Sequence, residues 1–117
     1  CLDLPNIVRP IETYECQRQF YVVMQLCSGG DLYSRDPYTE AHAIDIIKKI
    51  LSAVAYMHRF NVIHRDLKYE NILFENDSPS AEIKIIDFGL SKKHLGDDSA
   101  VSDHVGTFYT MAPQVIN

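Results

Sequence analysis

Cysteine is scarce in this chain: Cys1, Cys16 and Cys27 are odd in number, widely spaced and form no C-x-x-C pair, which argues against a disulfide framework or a zinc site. Reduced thiols in a cytoplasmic or nuclear setting are the expectation. Long apolar runs are missing too. None approaches the roughly 18 residues that a membrane-spanning helix needs, and no basic-then-apolar leader opens the sequence, so no membrane partner is expected. Clustered Lys and Arg are equally absent. Eleven basic against sixteen acidic side chains leave a formal charge of −5, the opposite of what releases counterions from nucleic-acid phosphate. Basic peptides are the better-matched charged partners. No internal repeat or low-complexity tract is present, and a 46% hydrophobic content suffices for one modest core.

The apolar residues that are present follow two periods. Ile7 to Glu15 and Gln19 to Leu26 are rich in β-branched and aromatic residues and read as two antiparallel strands, joined through Glu15-Cys16-Gln17-Arg18. Pro10 falls inside the first, where it should remove a ladder donor. Ser28-Gly29-Gly30 ends the pairing. From Thr39, a suitable N-cap, the spacing predicts a helix burying Ala43, Ile47, Ile50, Leu51, Val54 and Met57 on one stripe, closed near Asn61. Val62-Ile63, Ile72-Leu73-Phe74 and Ile83 to Ile86 read as short strands, the last two joined by the polar turn Glu75 to Ala81. Beyond Gly89 the chain is polar and weakly periodic until Ala112-Pro113, as a mobile segment would be. An α+β fold follows.

The chemistry concentrates in His64-Arg65-Asp66-Leu67-Lys68-Tyr69-Glu70-Asn71 and Asp87-Phe88-Gly89. Two carboxylates and an amide in this order suit a phosphoryl-transfer site, where catalysis is mostly positioning and neutralisation of spreading negative charge. Asp66 is placed to orient an incoming hydroxyl and accept its proton. Asn71 is an uncharged oxygen donor for one Mg²⁺, and Asp87 is the carboxylate for another. Lys68, two residues past Asp66, offers a compact charge for the transferring group. Either motif alone is weak, since D-x-x-x-x-N recurs by chance and D-F-G also describes an apolar strand ending in a turn. The joint occurrence, with strand-like segments between, is far more specific. The segment before the glycine pair, with backbone groups free beside apolar walls, is the candidate adenine site, with Gln25 and Cys27 as its contacts.

These motifs resemble the eukaryotic protein kinase family from about Pro5 to the C-terminus. Lys68 and Gly106-Thr107 resemble its serine/threonine branch, and Met24 to Leu32 with Gly89 to Lys92 is most similar to the calcium/calmodulin-dependent and calcium-dependent kinases. The resemblance implies a kinase-like slice: small-lobe strands and hinge in residues 1–27, and in 28–117 the first half of the large lobe with catalytic loop and activation segment. It implies ATP and Mg²⁺ as cofactors, Ser or Thr near basic residues in a protein or peptide substrate, and a calcium-sensing regulator outside the slice. It places Met24 at the back of the nucleotide pocket, Leu73 under the adenine, and Thr107 in hydrogen bonds to Asp66 and Lys68. Asp31 and Glu70 stand where basophilic relatives contact substrate arginines. Arg65 stands where relatives bind a phosphorylated residue, here aligned with Asp103, a fixed carboxylate, with Ser102 as a competing phosphosite. His64 and Phe88 belong to an apolar column aligning the two motifs.

Several positions depart from the pattern. Gln114 replaces the Glu of A-P-E, Phe108 a Pro and Thr110 a Tyr, which puts substrate docking and lobe anchoring in question. No Gly-rich loop or V-A-I-K-like strand precedes Pro5, so the slice alone is expected to be inactive. The rival readings are a pseudokinase or interaction module, which has no need of Asp66, Lys68, Asn71 and Asp87 together, and a small-molecule kinase, against which Gly106-Thr107 and Ala112-Pro113 speak.

Overall fold

The computed structural model describes residues 4–94, 96 and 104–116. Strands β1 (Pro10–Cys16) and β2 (Gln19–Met24) form an antiparallel hairpin whose residues are all exposed. Its turn is only two residues. Gln17 and Arg18 have φ of 49° and 69°, the left-handed pair that matches the twist of a tight hairpin and that Asn-Gly would adopt more readily. Glu15 and Cys16, expected in the connection, therefore pair with Phe20 and Gln19. Pro10 opens β1 instead of interrupting it, beside a register irregularity between Pro10 and Glu12, where a missing donor costs the ladder least. The predicted first strand is thus split: Ile7 and Val8 are buried, and Ile7 bridges Ile85.

Helix α1 (Glu40–Arg59) starts where its sequence says, because Thr39 Oγ1 accepts the His42 N–H at 3.2 Å. Asn61, at φ 58°, follows the C-cap Phe60 and donates to His58 O. The buried face shares Met57, and partly buried Ile50 and Val54, with the expected stripe and departs from it elsewhere. Ile46, Ala53 and Met57 are buried, whereas Ile47 and Leu51 are 52% and 61% exposed. Apolar residues occupy two sides of this helix, so periodicity fits two stripes, and the one packed on the β-strands is the one that is buried. No helix among the described residues is long and apolar enough to cross a membrane.

Strands β3 (Val62–Ile63), β4 (Ile72–Phe74), β5 (Ile83–Ile85) and β6 (Lys92–Lys93) follow, with β3 paired to β6 and β4 to β5, both antiparallel. Lys92 and Lys93 are thus in a strand, within a stretch that sequence alone reads as irregular. A short helix, α2 (Pro113–Ile116), ends the described chain. The core gathers Ile7, Leu32, Ile46, Ala53, Met57, Ile72, Phe74, Ile83 and Ile85, so α1 and the β4–β5 pair share one apolar interior in a mixed α and β fold.

The link from β2 to this core is tight. Gly29 donates to Phe74 O at 3.0 Å and Phe74 to Gly30 O at 2.8 Å, and a Cβ on Gly29 would stand 2.1 Å from Asn76 O. Only a glycine fits there. Arg35 closes the same corner, donating to the carbonyls of Gly29, Asn76 and Ser78 while its guanidinium sits 4.0 Å from the centre of the Phe74 ring.

Candidate active site

The loop between β3 and β4 carries the first motif, and two features shape it. Arg65 adopts φ 70°, turning the chain so that His64 and Asp66 are both buried. The His64 ring then bridges the two motifs. Its Nδ1 accepts the Asp66 N–H at 3.2 Å, its Nε2 meets Ile86 O at 2.9 Å, and its edge packs 5.0 Å from the Phe88 ring. The tautomer with the proton on Nε2 satisfies both bonds.

Asp66 is the centre of a four-residue cluster. Thr107 Oγ1 donates to its Oδ1 at 2.6 Å, Lys68 Nζ lies 3.0 Å from Oδ2, and Asn71 Nδ2 donates to both Oδ2 (3.0 Å) and the Asp66 carbonyl (2.8 Å). Lys68 also donates to Thr107 Oγ1 at 2.9 Å. The Thr107 bond, followed by those of Lys68 and Asn71, outweighs burial and lowers the Asp66 pKa. Lys68 is correspondingly raised, first through its bond to Asp66. The pair is therefore ionised at neutral pH.

A depressed carboxyl pKa keeps its stabilisation above the ordinary carboxylate range and loses it as pH falls through the depressed value. Thr107→Val removes the largest lowering contribution, so the acid limb of the kcat/KM profile of the full-length protein should move to higher pH. An unmoved limb would show that Thr107 does not set the charge on Asp66.

Asp87 has no side-chain bond to this cluster among the described contacts, and its place in the chain is set by the sheet. Ile86 N donates to Asn71 O at 2.9 Å, extending the β4–β5 ladder by one step, and Asp87 follows with φ 58° and an exposed side chain whose Oδ1 accepts the Gly89 N–H at 3.0 Å. Asn71 turns its NH₂ to Asp66, so Oδ1 is its remaining ligand atom, and Asp87 keeps Oδ2. Each is a hard oxygen of the kind that suits a magnesium ion taking its other ligands from phosphate and water. No cluster of three or more His, Cys, Asp or Glu side chains suited to a metal occurs among the described residues.

The other expected residues are distributed as follows. Gln25 N donates to Arg9 O, and its side chain to Glu75. Cys27, half-buried, has its thiol pKa raised by burial. Met24 is 48% exposed at the end of β2, not in the core where an apolar strand residue is commonest, while Leu73 is half-buried and bridges Asp31. Asp31 and Glu70 line one open cavity of about 530 Å³ with Tyr33, Lys68, Tyr69 and Tyr109. Arg65 Nε donates to Leu90 O at 2.6 Å. Ser102 and Asp103 lie outside the described residues.

Two contacts had no signal in the sequence. Tyr109 bonds Glu70, and Arg35 ties the glycine pair to the β4–β5 turn. Both join residues far apart in the chain, and neither residue type announces its partner.

The sequence is similar to known proteins. The protein kinase domain family matches residues 1–117. Calcium-dependent protein kinase 3 of Plasmodium yoelii yoelii is 41% identical over 119 residues, 98% of this chain and 22% of that protein. Calcium/calmodulin-dependent protein kinase type 1 of Macrobrachium nipponense is 42% identical, covering 98% of this chain and 34% of its own length. For myosin light chain kinase A of Dictyostelium discoideum the values are 40%, 97% and 39%. The chain thus spans well under half the length of these curated relatives. With Lys68, Asn71 and Thr107 bonded to Asp66 and a family match over its whole length, the chain belongs to the protein kinase family.

Proposed function

We propose that the protein carrying this chain transfers the γ-phosphoryl group of ATP, with Mg²⁺, to Ser or Thr hydroxyls of protein substrates that have basic residues upstream. In this reading residues 1–27 are the end of the small lobe and the hinge, and residues 28–117 are part of the large lobe. The observation that carries it is the buried Asp66 carboxylate, bonded by Thr107, Lys68 and Asn71. A binding module gains nothing from burying that charge, whose desolvation must be offset by those partners.

Each residue then has a task. Asp66 accepts the hydrogen bond of the substrate hydroxyl and aims its oxygen at the γ-phosphorus. With a lowered pKa it is a weak base at the outset, so it takes the proton late, as the oxygen–phosphorus bond forms and ADP leaves. Lys68 puts a positive charge beside the transferring group. Asn71 Oδ1 and Asp87 Oδ2 would each hold a Mg²⁺, which supplies charge neutralisation for the phosphates. Gln25 and Cys27 would offer backbone groups to adenine, between Met24 and Leu73. Asp31 and Glu70 would take the substrate's cations, and Arg65 an anion on the activation segment, Asp103 or phosphorylated Ser102. The calcium in the names of two relatives supports a calcium-sensing regulator elsewhere in the protein.

The test uses the full-length protein, Mg·ATP and matched Ser peptides with Arg or Lys against Asp or Glu upstream, with and without Ca²⁺. Two exposed ion pairs of about 0.5 to 1 kcal/mol each should lower KM for the basic peptide about tenfold. Nucleotide and Mg²⁺ binding without transfer to any peptide would favour the pseudokinase reading. Transfer without basic preference would remove the roles of Asp31 and Glu70.

A further inference from the structure

Glu70 is exposed on the one-turn 3₁₀ segment Tyr69–Asn71, where a long side chain has several rotamers open to it. One contact restrains it. The Tyr109 hydroxyl donates to Glu70 Oε1 at 3.0 Å, and both side chains line the cavity that also holds Asp31 and Lys68. Lys68 is a competing cation for the same carboxylate, and the two charges already interact: Glu70 helps to hold the Lys68 proton. A Glu70 that swung to Lys68 would be lost to a substrate and would draw the lysine away from Asp66.

We propose that Tyr109 is a positioning residue for substrate specificity: its hydroxyl fixes Oε1 of Glu70 and leaves Oε2 as the acceptor for the cation of a basic substrate. The inference deepens the proposed kinase reading and rests on it. Three further observations fit. Tyr109 is 72% exposed, so the fold does not need the phenol for packing. The hydroxyl stays a donor at neutral pH, because the bond to Glu70 raises the tyrosine pKa above its ordinary value. The neighbouring residues Phe108 and Thr110 send no side-chain bond to Glu70 among the described contacts, which leaves Tyr109 as the contact from that segment.

The test compares the full-length protein with its Tyr109→Phe, Glu70→Gln and doubly substituted forms on two fluorescent Ser peptides that differ only in carrying arginine or norleucine upstream. The wild type should show a KM ratio of about tenfold in favour of arginine. Tyr109→Phe should reduce that ratio to about threefold, the scale of one lost hydrogen bond to a charged group's positioning, with the norleucine peptide unaffected. Glu70→Gln should reduce it similarly, and Tyr109→Phe should add nothing in that background. Equal shifts for both peptides would mean a merely structural role, and multiplying effects would mean independent ones. Either result overturns the proposal. Anisotropy of the same peptides with Mg·ADP reads the same ratios without turnover, so a failure of the catalytic reading is seen separately from a failure of the tyrosine's role.

Discussion

Asp66→Asn in the full-length protein is expected to lower kcat by about 10² to 10⁴, the range for loss of a positioned acid–base group, with nucleotide affinity changed little. The substitution is close to isosteric and can be accommodated. Lys68 and Asn71 approach one oxygen and Thr107 the other, so an amide would turn its oxygen to the two nitrogen donors and its NH₂ to Thr107, whose hydroxyl can rotate to accept. What is lost is the charge. Lys68 then has no carboxylate partner in the cluster, and in the proposed reaction the substrate hydroxyl would have no base. Parallel measurement of kcat and of nucleotide binding separates chemistry from folding. A rate within about threefold of wild type would take Asp66 out of the reaction.

How much of this was legible in the sequence depends on how local each interaction is. Asp66, Lys68 and Asn71 lie within six positions of one another, and a chain that turns at Arg65 brings them together without help from afar. Their grouping could be read from spacing. Helix α1 and its Thr39 cap were likewise local. The face that α1 buries was not, because Ile47 and Leu51 are as apolar as Ile46 and Ile50, and only the positions of β3 and β5 select between them. Gln17-Arg18 does not advertise a left-handed turn, so the connection reads from sequence as Glu15 to Arg18 where the turn takes only Gln17 and Arg18. Thr107 entered through resemblance, since nothing in a polar loop points across the chain to Asp66. Tyr109 and Arg35 lie beyond both routes. A tyrosine that bonds an exposed carboxylate, and an arginine satisfied by carbonyls, leave no pattern to find.

The position before Thr107 carries the other large expected effect. Gly106 has φ +129°, and a Cβ there would stand 2.5 Å from the carbonyl oxygen of Arg65, a backbone atom that cannot swing aside as a side chain could. Gly106→Ala must therefore displace either the Arg65 turn or the Thr107 segment, at about 1 to 3 kcal/mol of stability. Both movements open the same bond, since Arg65 precedes Asp66 and Gly106 precedes Thr107, and the 2.6 Å contact joins the two neighbours. The full-length variant should lose about 10-fold to 100-fold in kcat and several degrees in Tm. Its acid limb should move to higher pH, as for Thr107→Val, because the same donor has left the carboxylate. A variant that is destabilised yet keeps the wild-type limb would show that the strain is absorbed elsewhere and that the glycine serves folding alone.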